Sequence, residues 1–158
     1  LILYIAIIST TIAIYKHIEI QIMATRGSIT VKHSDGKYHS VYTHWDSYLT
    51  HHGRILVNSY NSQELAEKLV AGGSISSLGD SCDLVDGHSH DTPVKGYTVY
   101  YSRDRGDEEQ ETVIKDTLQE CLDINSNEYD YLYDGGWSCS RDGKPFYNIT
   151  DDFINEDS

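Results

Sequence analysis

Cysteine and proline are scarce in this sequence, and the cysteines lack the spacing of a disulfide or metal framework. The 158 residues include 3 cysteines and 2 prolines, and no two cysteines form a Cys-x-x-Cys pair. An odd, widely spaced set gives neither a disulfide framework nor a zinc finger, and it fits a reducing compartment. Walker A, Gly-x-Gly-x-x-Gly, Gly-x-Ser-x-Gly, His-Glu-x-x-His and EF-hand motifs are also missing. We therefore expect no cofactor, and the motifs identify no catalytic residue.

Positive charge is scarce as well. The chain has 12 Lys and Arg against 25 Asp and Glu, for a net charge of −13. Residues 101–158 alone carry 5 basic and 16 acidic side chains. Such a surface repels phosphate backbones, so we expect no direct nucleic-acid binding. It favours a partner with a basic surface, although acidity also simply keeps a small protein in solution.

Residues 1–22 form an apolar stretch with nine isoleucines that ends just before Met23, the one methionine of the chain. The stretch lacks the basic start and the small-residue cleavage site of a signal peptide. Its apolar run, residues 1–15, is shorter than the roughly 20 residues of a membrane span. We therefore expect translated upstream sequence outside the fold, with the functional protein starting at Met23 and no membrane association. An interfacial anchor or an added strand is the alternative.

From Met23 onward the hydrophobic pattern predicts a single α+β domain over residues 23–150 and an acidic disordered tail over 151–158. The predicted strands are Ser28–His33, Tyr38–His44, Gly96–Ser102, Glu128–Asp134 and Trp137–Arg141. Helices are predicted after Asp46, after Asn61 and over residues 109–123, with a turn at 74–79 and a loop at 80–95. The order β-β-α-α-β-α-β-β favours an antiparallel sheet of about five strands with helices packed on one face.

One stretch, residues 42–60, concentrates the chemically active side chains. It reads YTHWDSYLTHHGRILVNSY and holds three of the eight histidines, one tryptophan and three tyrosines. We expect Asp46 to cap a helix there. The helical period places one stripe in the core, namely Trp45, Leu49, His52 and Leu56. It leaves four side chains exposed: His44, Asp46, Tyr48 and His51.

These exposed side chains are candidates for binding a ligand or a partner. His44 and Asp46 could form an acid–base pair beside an aromatic platform. The alternative is architectural, with Trp45 in the core, Asp46 only a cap, and His44 bonded to a backbone carbonyl. Arg103 and Arg105 could hold a phosphate or carboxylate, or could pair with nearby acids. The binding candidates are Arg26, His44, Trp45, Asp46, Tyr48, His51, Arg103 and Arg105.

A histidine-rich loop has the side-chain types of a metal site. Asp86, His88, His90 and Asp91 supply two imidazoles and two carboxylates within six residues. These residues fall in the predicted loop, and no third histidine stands at a diagnostic spacing. We therefore expect a solvated loop without a metal, and we keep these four residues as the less favoured metal set.

Several stretches resemble a family of small uncharacterised proteins of tailed phages and prophages. They are TRGSI after Met23, SVYTHWDSYLTHHGRIL, GSISSLG and YSRDRG, and the resemblance covers roughly residues 23–137. Its most specific element is the signature Tyr-x-His-Trp-Asp-x-Tyr. Family members often carry Cys and Gly where this chain has Thr43 and Ser47, so no role for a thiol is carried over. The resemblance implies a viral accessory protein in the host bacterial cytoplasm and implies no activity.

Three hypotheses of function follow. The favoured one is a non-enzymatic accessory protein that binds a small ligand or a host protein with a basic surface. The second is a small metal-assisted hydrolase that uses His44 and Asp46 with His88 or His90. The third is a structural subunit that forms a homodimer.

Overall fold

The structure is a computed structural model that describes residues 24–108 and 110–150 together with Ile154. These residues form one eight-stranded sheet flanked by short helices. The strands are β1 (Gly27–Lys32), β2 (Tyr38–Thr43), β3 (Ile75–Ser77), β4 (Val99–Tyr100), β5 (Val113–Lys115), β6 (Tyr129–Tyr133), β7 (Trp137–Arg141) and β8 (Tyr147–Asn148). The helical segments are a π-helical turn (Leu49–Gly53), α1 (Arg54–Ser59), α2 (Gln63–Ala71), α3 (Tyr101–Arg105) and α4 (Leu118–Leu122).

The sheet is mixed, whereas the sequence predicted an antiparallel sheet of about five strands. Its order is β4-β3-β2-β1-β6-β7-β8, and β5 pairs with β2 off this path. The strand β1 runs parallel to β6, and β2 runs parallel to β3. The three strands that the sequence did not predict, β3, β5 and β8, contain only two or three residues each, which is too few for alternation to reveal. The α+β class is confirmed, while the strand number and the order are corrected.

The helix predicted over residues 109–123 is wrong for most of its length. Residues 113–115 form β5 and pair with residues 38–40 of β2, as their β-branched side chains favour. Ile114, expected on the buried stripe, is exposed. The helix α4 begins only after Thr117, which exchanges hydrogen bonds with Glu120 in a capping box. Long-range pairing therefore overrides the helical period in the first half of this segment.

Two further segments differ from their predictions because α3 begins early and the 74–79 segment finds strand partners. The predicted strand Gly96–Ser102 shortens to β4, since the chain turns into α3 at Tyr101. The carboxylate of Asp104 accepts the Tyr100 N–H at 2.8 Å, which fixes this turn. Residues 74–79, predicted as a turn, contain β3, which pairs with both β2 and β4.

Local signals predicted other features correctly. The β1–β2 hairpin turns at Gly36, which has a φ of 86°. Ser62 caps α2 by accepting the Leu65 N–H, and α2 ends at Ala71 before Gly72. The β6–β7 hairpin closes around Gly135.

Helices cover both faces of the sheet rather than one. Ile29 and Val31 of β1 belong to a core cluster with Leu69 and Val70 of α2, and α2 packs against β1 and β2. On the opposite face, which we call the polar face, α4 packs against β2. The side chains buried on the polar face include Ser28, Thr30, Ser40, Asp130 and Ser140.

Buried tyrosines connect the sheet and helices to irregular backbone. The hydroxyl of Tyr60 donates to Gly79 O at 2.8 Å, and that of Tyr100 donates to Leu69 O at 2.7 Å. In the same way the hydroxyl of Tyr131 on β6 donates to Ser47 O at 2.7 Å. Each bond satisfies a carbonyl that lies outside a strand ladder, which a buried loop or helix end requires.

The predicted upstream segment, residues 1–22, lies outside the described residues, as does most of the predicted tail over 151–158. Ile154 is described and is buried, and its N–H donates to Thr150 O at 3.1 Å. No helix in the described part of the chain is long and apolar enough to cross a membrane.

Replacing Tyr131 by Phe should lower the free energy of unfolding by about 1–3 kcal/mol, because the buried carbonyl of Ser47 loses its donor. The matched control is Tyr133→Phe, since Tyr133 is also buried on β6 but its hydroxyl bonds no described residue. Urea denaturation of the parent and both variants measures the difference. Equal stabilities of the two variants would contradict a special role for the Tyr131 hydroxyl.

Candidate functional site

A cleft of about 520 Å³ opens over the polar face of the sheet. Strands β1 and β2 form its floor, and α4 with the connection from α4 to β6 forms one wall. The residues that line it include Arg26, Ser28, Ser40, Tyr42, Glu111 and Ile124. The volume is in the range of sites that hold small molecules in proteins.

The floor of the cleft is a fixed polar layer. Ser28 donates to a carboxylate oxygen of Asp130 at 2.6 Å, and the Asn127 amide donates to the same oxygen at 3.0 Å. The hydroxyls of Thr30 and Ser40 bond each other at 2.8 Å. Because these groups satisfy one another, the polar layer is preorganised, and the hydroxyls of Ser28 and Ser40 present it to the cleft.

His44 lies beside this floor and connects it to two arginines. Its Nδ1 hydrogen-bonds the Tyr42 hydroxyl at 2.8 Å, and Tyr42 lines the cleft. Burial lowers the pKa of His44 below its ordinary value, and the guanidinium groups of Arg26 and Arg105 lower it further. The imidazole is therefore neutral near pH 7, in a region where two cations act on it.

The two arginines differ in how they are held. Arg105 of α3 forms an ion pair with Asp107 at 3.1 Å, and its guanidinium lies 4.8 Å from the centre of the Tyr101 ring. Arg26 precedes β1, and its backbone carbonyl accepts N–H groups at the start of β6. The exposed side chain of Arg26 forms no ion pair with any carboxylate of the described residues. Arg105 thus has a partner, while Arg26 is available.

Arg103 does not join this group. Its guanidinium bonds the Asp104 carboxylate at 2.8 Å and the carbonyls of Cys82 and Thr98 at 2.9 Å. The same guanidinium stacks over the ring of Tyr100 at 4.8 Å. These contacts bind α3 to the loop before β4, so Arg103 stabilises the fold rather than facing a ligand.

Asp46 turns away from His44 instead of pairing with it. Asp46 is exposed with a φ of 57°, and it borders a second groove together with His51. The helical region begins only at Leu49, without a side-chain cap. The expected capping by Asp46 is therefore wrong, because the chain makes a left-handed turn at this residue before the helix starts.

The aromatic candidates of the same stretch contact the histidines. Trp45 is half-buried and meets the His44 ring edge-on at 4.6 Å between centroids. Tyr48 is half-buried with its ring 6.0 Å from that of His51. Leu49, His52 and Leu56 are buried, as the helical period predicted.

His52 is fully buried and belongs to the core. Its ring stacks on Tyr131 at 6.2 Å, and its Nδ1 lies 3.1 Å from Nδ1 of His51. Burial lowers the pKa of His52 to about 3, and the neighbouring His51 contributes to the decrease. Its Nε2 has no hydrogen-bond partner among the described residues. The backbone of Asp46 raises the pKa of His52, but by less than burial lowers it. His52 is therefore a neutral core histidine.

The four residues of the less favoured metal set do not converge. The His88 side chain is enclosed: its Nδ1 accepts the Val94 N–H at 3.0 Å, and its Nε2 bonds Thr98 O at 3.2 Å. The three others, Asp86, His90 and Asp91, are exposed. Among the described residues, the one group of three or more His, Cys, Asp or Glu side chains with converging ligand atoms lies elsewhere, at His33, Asp35 and His39.

The sequence alone did not reveal this group, because His33 and His39 fall in two different predicted strands, Ser28–His33 and Tyr38–His44, and Asp35 lies between them. The signal was present as His-x-Asp-x-x-x-His across a predicted hairpin. Hairpin pairing places His33 and His39 side by side on the two strands, and a spacing rule for single strands or helices does not detect such a pair.

Replacing Arg26 by Gln should raise the pKa of His44 toward its ordinary value, because one of the two cations that disfavour the imidazolium is removed. Burial remains, so the recovery is partial. An NMR titration of the His44 ring measures the pKa in the parent and in the variant. Arg54→Gln is the control, since Arg54 is exposed on α1 and borders the second groove. An unchanged His44 pKa in Arg26→Gln would show that the two groups do not interact.

The chain was compared with models of protein families, with curated proteins and with solved structures. None of these comparisons found a match. The resemblance to tailed-phage proteins therefore stays a prediction that depends on the residues quoted above.

Proposed function

We propose that this protein is a non-enzymatic binding protein whose cleft over the polar face takes a small organic anion with a carboxylate or phosphate group. The observation that carries the proposal is the exposed guanidinium of Arg26, which lines the cleft and forms no ion pair with a carboxylate of the described residues. In a chain of net charge −13, this cation at the cleft favours an anionic ligand there, and the charges of Arg26 and Arg105 both lower the pKa of the neighbouring His44. We place this activity, on the resemblance alone, in a viral accessory protein of the host bacterial cytoplasm.

Arg26 is the expected contact for the anionic group. Its guanidinium can form two parallel hydrogen bonds to a carboxylate or phosphate. Arg105, held by Asp107, would act through its charge and through its position rather than as the first contact. The Tyr42 ring and Ile124 supply apolar surface in the cleft for the organic part of the ligand.

A basic protein partner is the competing hypothesis, and it depends on the acidic C-terminal half. Two carboxylates of this half, Asp104 and Asp107, are already paired with arginines. Glu108 and Glu111 are exposed, and Glu111 borders the cleft. A basic partner would therefore bind on the outer surface beside the cleft. Reversing the charge of Glu108 would weaken such binding, whereas replacing Arg26 would leave it unchanged.

The hydrolase hypothesis gains no support from the placement of its residues. His44 bonds a tyrosine hydroxyl, and Asp46 borders another groove. The ring of His88 is enclosed by backbone partners, and His90 is exposed on its loop. The geometry favours binding over hydrolysis because general acid–base catalysis requires these groups within hydrogen-bond reach of one substrate.

The proposal predicts that the protein binds phenyl phosphate or benzoate but not the neutral analogue benzyl alcohol. Arg26→Gln should weaken anion binding by about tenfold or more, since a charge-assisted hydrogen bond is lost. Affinity should also fall as salt concentration rises. Isothermal titration calorimetry of the parent, Arg26→Gln and the control Arg54→Gln measures these effects.

Equal affinity of Arg26→Gln and the parent for the anions would overturn the cleft as the site, as would equal binding of benzyl alcohol. If neither anion binds, the competing partner hypothesis gains a direct test. The variant Glu108→Lys would then be compared with the parent in capture of a basic partner from host lysate, with Arg26→Gln as the control that leaves the acidic surface unchanged.

A further inference from the structure

We propose that the β1–β2 hairpin binds one late first-row divalent cation, with Zn²⁺ as the best match, through His33, Asp35 and His39. The carboxylate of Glu67 on α2 lies beside the other ring nitrogen of His33 and orients the ring. This site is separate from the cleft and does not depend on the proposed anion ligand.

The hairpin places the two imidazoles together. His39 lies opposite Val31 in the β1–β2 register, and His33 follows Val31 by two residues. Alternation along a strand therefore puts both rings on the face that carries Val31, which is opposite to the polar face. The rings stack with centroids 4.0 Å apart and an angle of 11° between their planes. Because imidazole nitrogens are common zinc ligands, the two rings supply two candidate ligands on one face.

Asp35 in the hairpin turn completes a set of three ligands. Its carboxylate oxygens lie 2.8 Å from Nε2 of His39 and 3.4 Å from Nδ1 of His33. The ligand atoms of the three residues all lie within 4.8 Å of one another. A tetrahedral zinc with bonds of about 2.0–2.2 Å separates its ligand atoms by about 3.3–3.6 Å. The 4.8 Å limit exceeds this separation by about 1.2–1.5 Å, so side-chain movements of at most about 1.5 Å would bring the three atoms around a cation.

The turn holds the carboxylate in place before a cation arrives. The Lys37 N–H donates to an Asp35 carboxylate oxygen at 2.8 Å, and the turn closes through His33 N–H to Lys37 O at 2.8 Å. Two nearby ammonium groups are engaged elsewhere: Lys37 pairs with Asp116, and Lys32 pairs with Asp134. No lysine of the described hairpin therefore competes for the Asp35 carboxylate.

Glu67 supplies the outer support that metal-bound histidines usually have. Its carboxylate lies 3.5 Å from Nε2 of His33, on the side of the ring away from the Asp35 contact. The same carboxylate accepts the Ser34 N–H and the Gln63 amide, each at 2.7 Å. A carboxylate that holds the second nitrogen of a ligating histidine fixes its tautomer and orientation.

Binding would exchange two hydrogen bonds for metal ligation. The neutral His39 ring would carry its hydrogen on Nδ1, so that Nε2 is free to bind, and the cation replaces the hydrogen bond between His39 Nε2 and Asp35. Nδ1 of His33 gives up the Asp35 N–H, which it accepts at 3.2 Å, and binds the cation instead. Three protein ligands leave one coordination position for water, and the partly exposed side chains of His33 and Asp35 give a path from solvent.

The test uses the full chain after removal of metals with a chelator. Calorimetric titration with ZnCl₂ should show one Zn²⁺ per chain, and Co²⁺ should give the visible absorption of a four-coordinate site. His39→Gln and His33→Gln should each lower Zn²⁺ affinity at least tenfold, and Glu67→Gln should lower it by about 10–100-fold. The matched control is His90→Gln, because His90 is exposed in the loop between β3 and β4 and should not change binding.

Two further measurements keep loss of binding distinct from loss of folding. Thermal unfolding of the His33 and His39 variants without metal should match the parent, since these two side chains lie at the turn end of the hairpin. In the unmodified protein, ¹⁵N resonances of the His33 and His39 rings should shift on Zn²⁺ addition while those of His90 do not. Absence of Zn²⁺ binding, parental affinity in His39→Gln, or shifts at His88 and His90 instead would each overturn the proposal.

Discussion

The hydrogen bond from the Tyr131 hydroxyl to Ser47 O holds the irregular end of β2 against the sheet, and the surroundings of His44 depend on it. The hydroxyl of Ser47 bonds that of Thr43 at 2.7 Å, so both the backbone and the side chain of Ser47 are fixed. Gly27 of β1 lies directly beneath, and a Cβ at this position would be 2.8 Å from Ser47 Cβ. Such a contact forces a shift, so the close approach requires glycine. These constraints leave His44 on the polar face, beside the Tyr42 hydroxyl to which it hydrogen-bonds.

The buried polar face explains why the cleft was hard to infer from the sequence. Alternation in β1 and β2 normally marks one apolar face toward the core and one polar face toward water. Here the polar face is covered by α4, so Ser28, Thr30 and Ser40 are buried and bond one another or Asp130. The alternation can be read from the sequence, but the burial of this face by α4 cannot. The helix α4 reaches the face because β5, which precedes it, pairs with the distant strand β2.

The sequence predicted those features that depend on neighbouring residues. The β1–β2 hairpin, the start of α2 after Asn61 and the β6–β7 hairpin were predicted because turn and cap chemistry are local. The strands β3 and β5 were missed because they exist through partners 32 and 73 residues away, at Thr43↔Ile75 and Ser40↔Val113. Of the site candidates, Arg26, His44 and Arg105 interact electrostatically, whereas Asp46 lies in another groove and Arg103 serves the fold. No local rule distinguishes Arg103 from Arg105 in the sequence YSRDRG.

The β1–β2 hairpin connects the two proposed sites and also separates them. His39 and Ser40 are adjacent in sequence, yet the first points to the face of the metal ligands and the second to the floor of the cleft. A side-chain change at one site therefore does not reach the other directly, and the effects of Arg26 and His39 variants should be additive because the groups share no partner. A small domain can in this way place anion and cation chemistry on one pair of strands, provided that the register between β1 and β2 is fixed. The six residue pairs of that register, closed by the Gly36 turn, supply this rigidity.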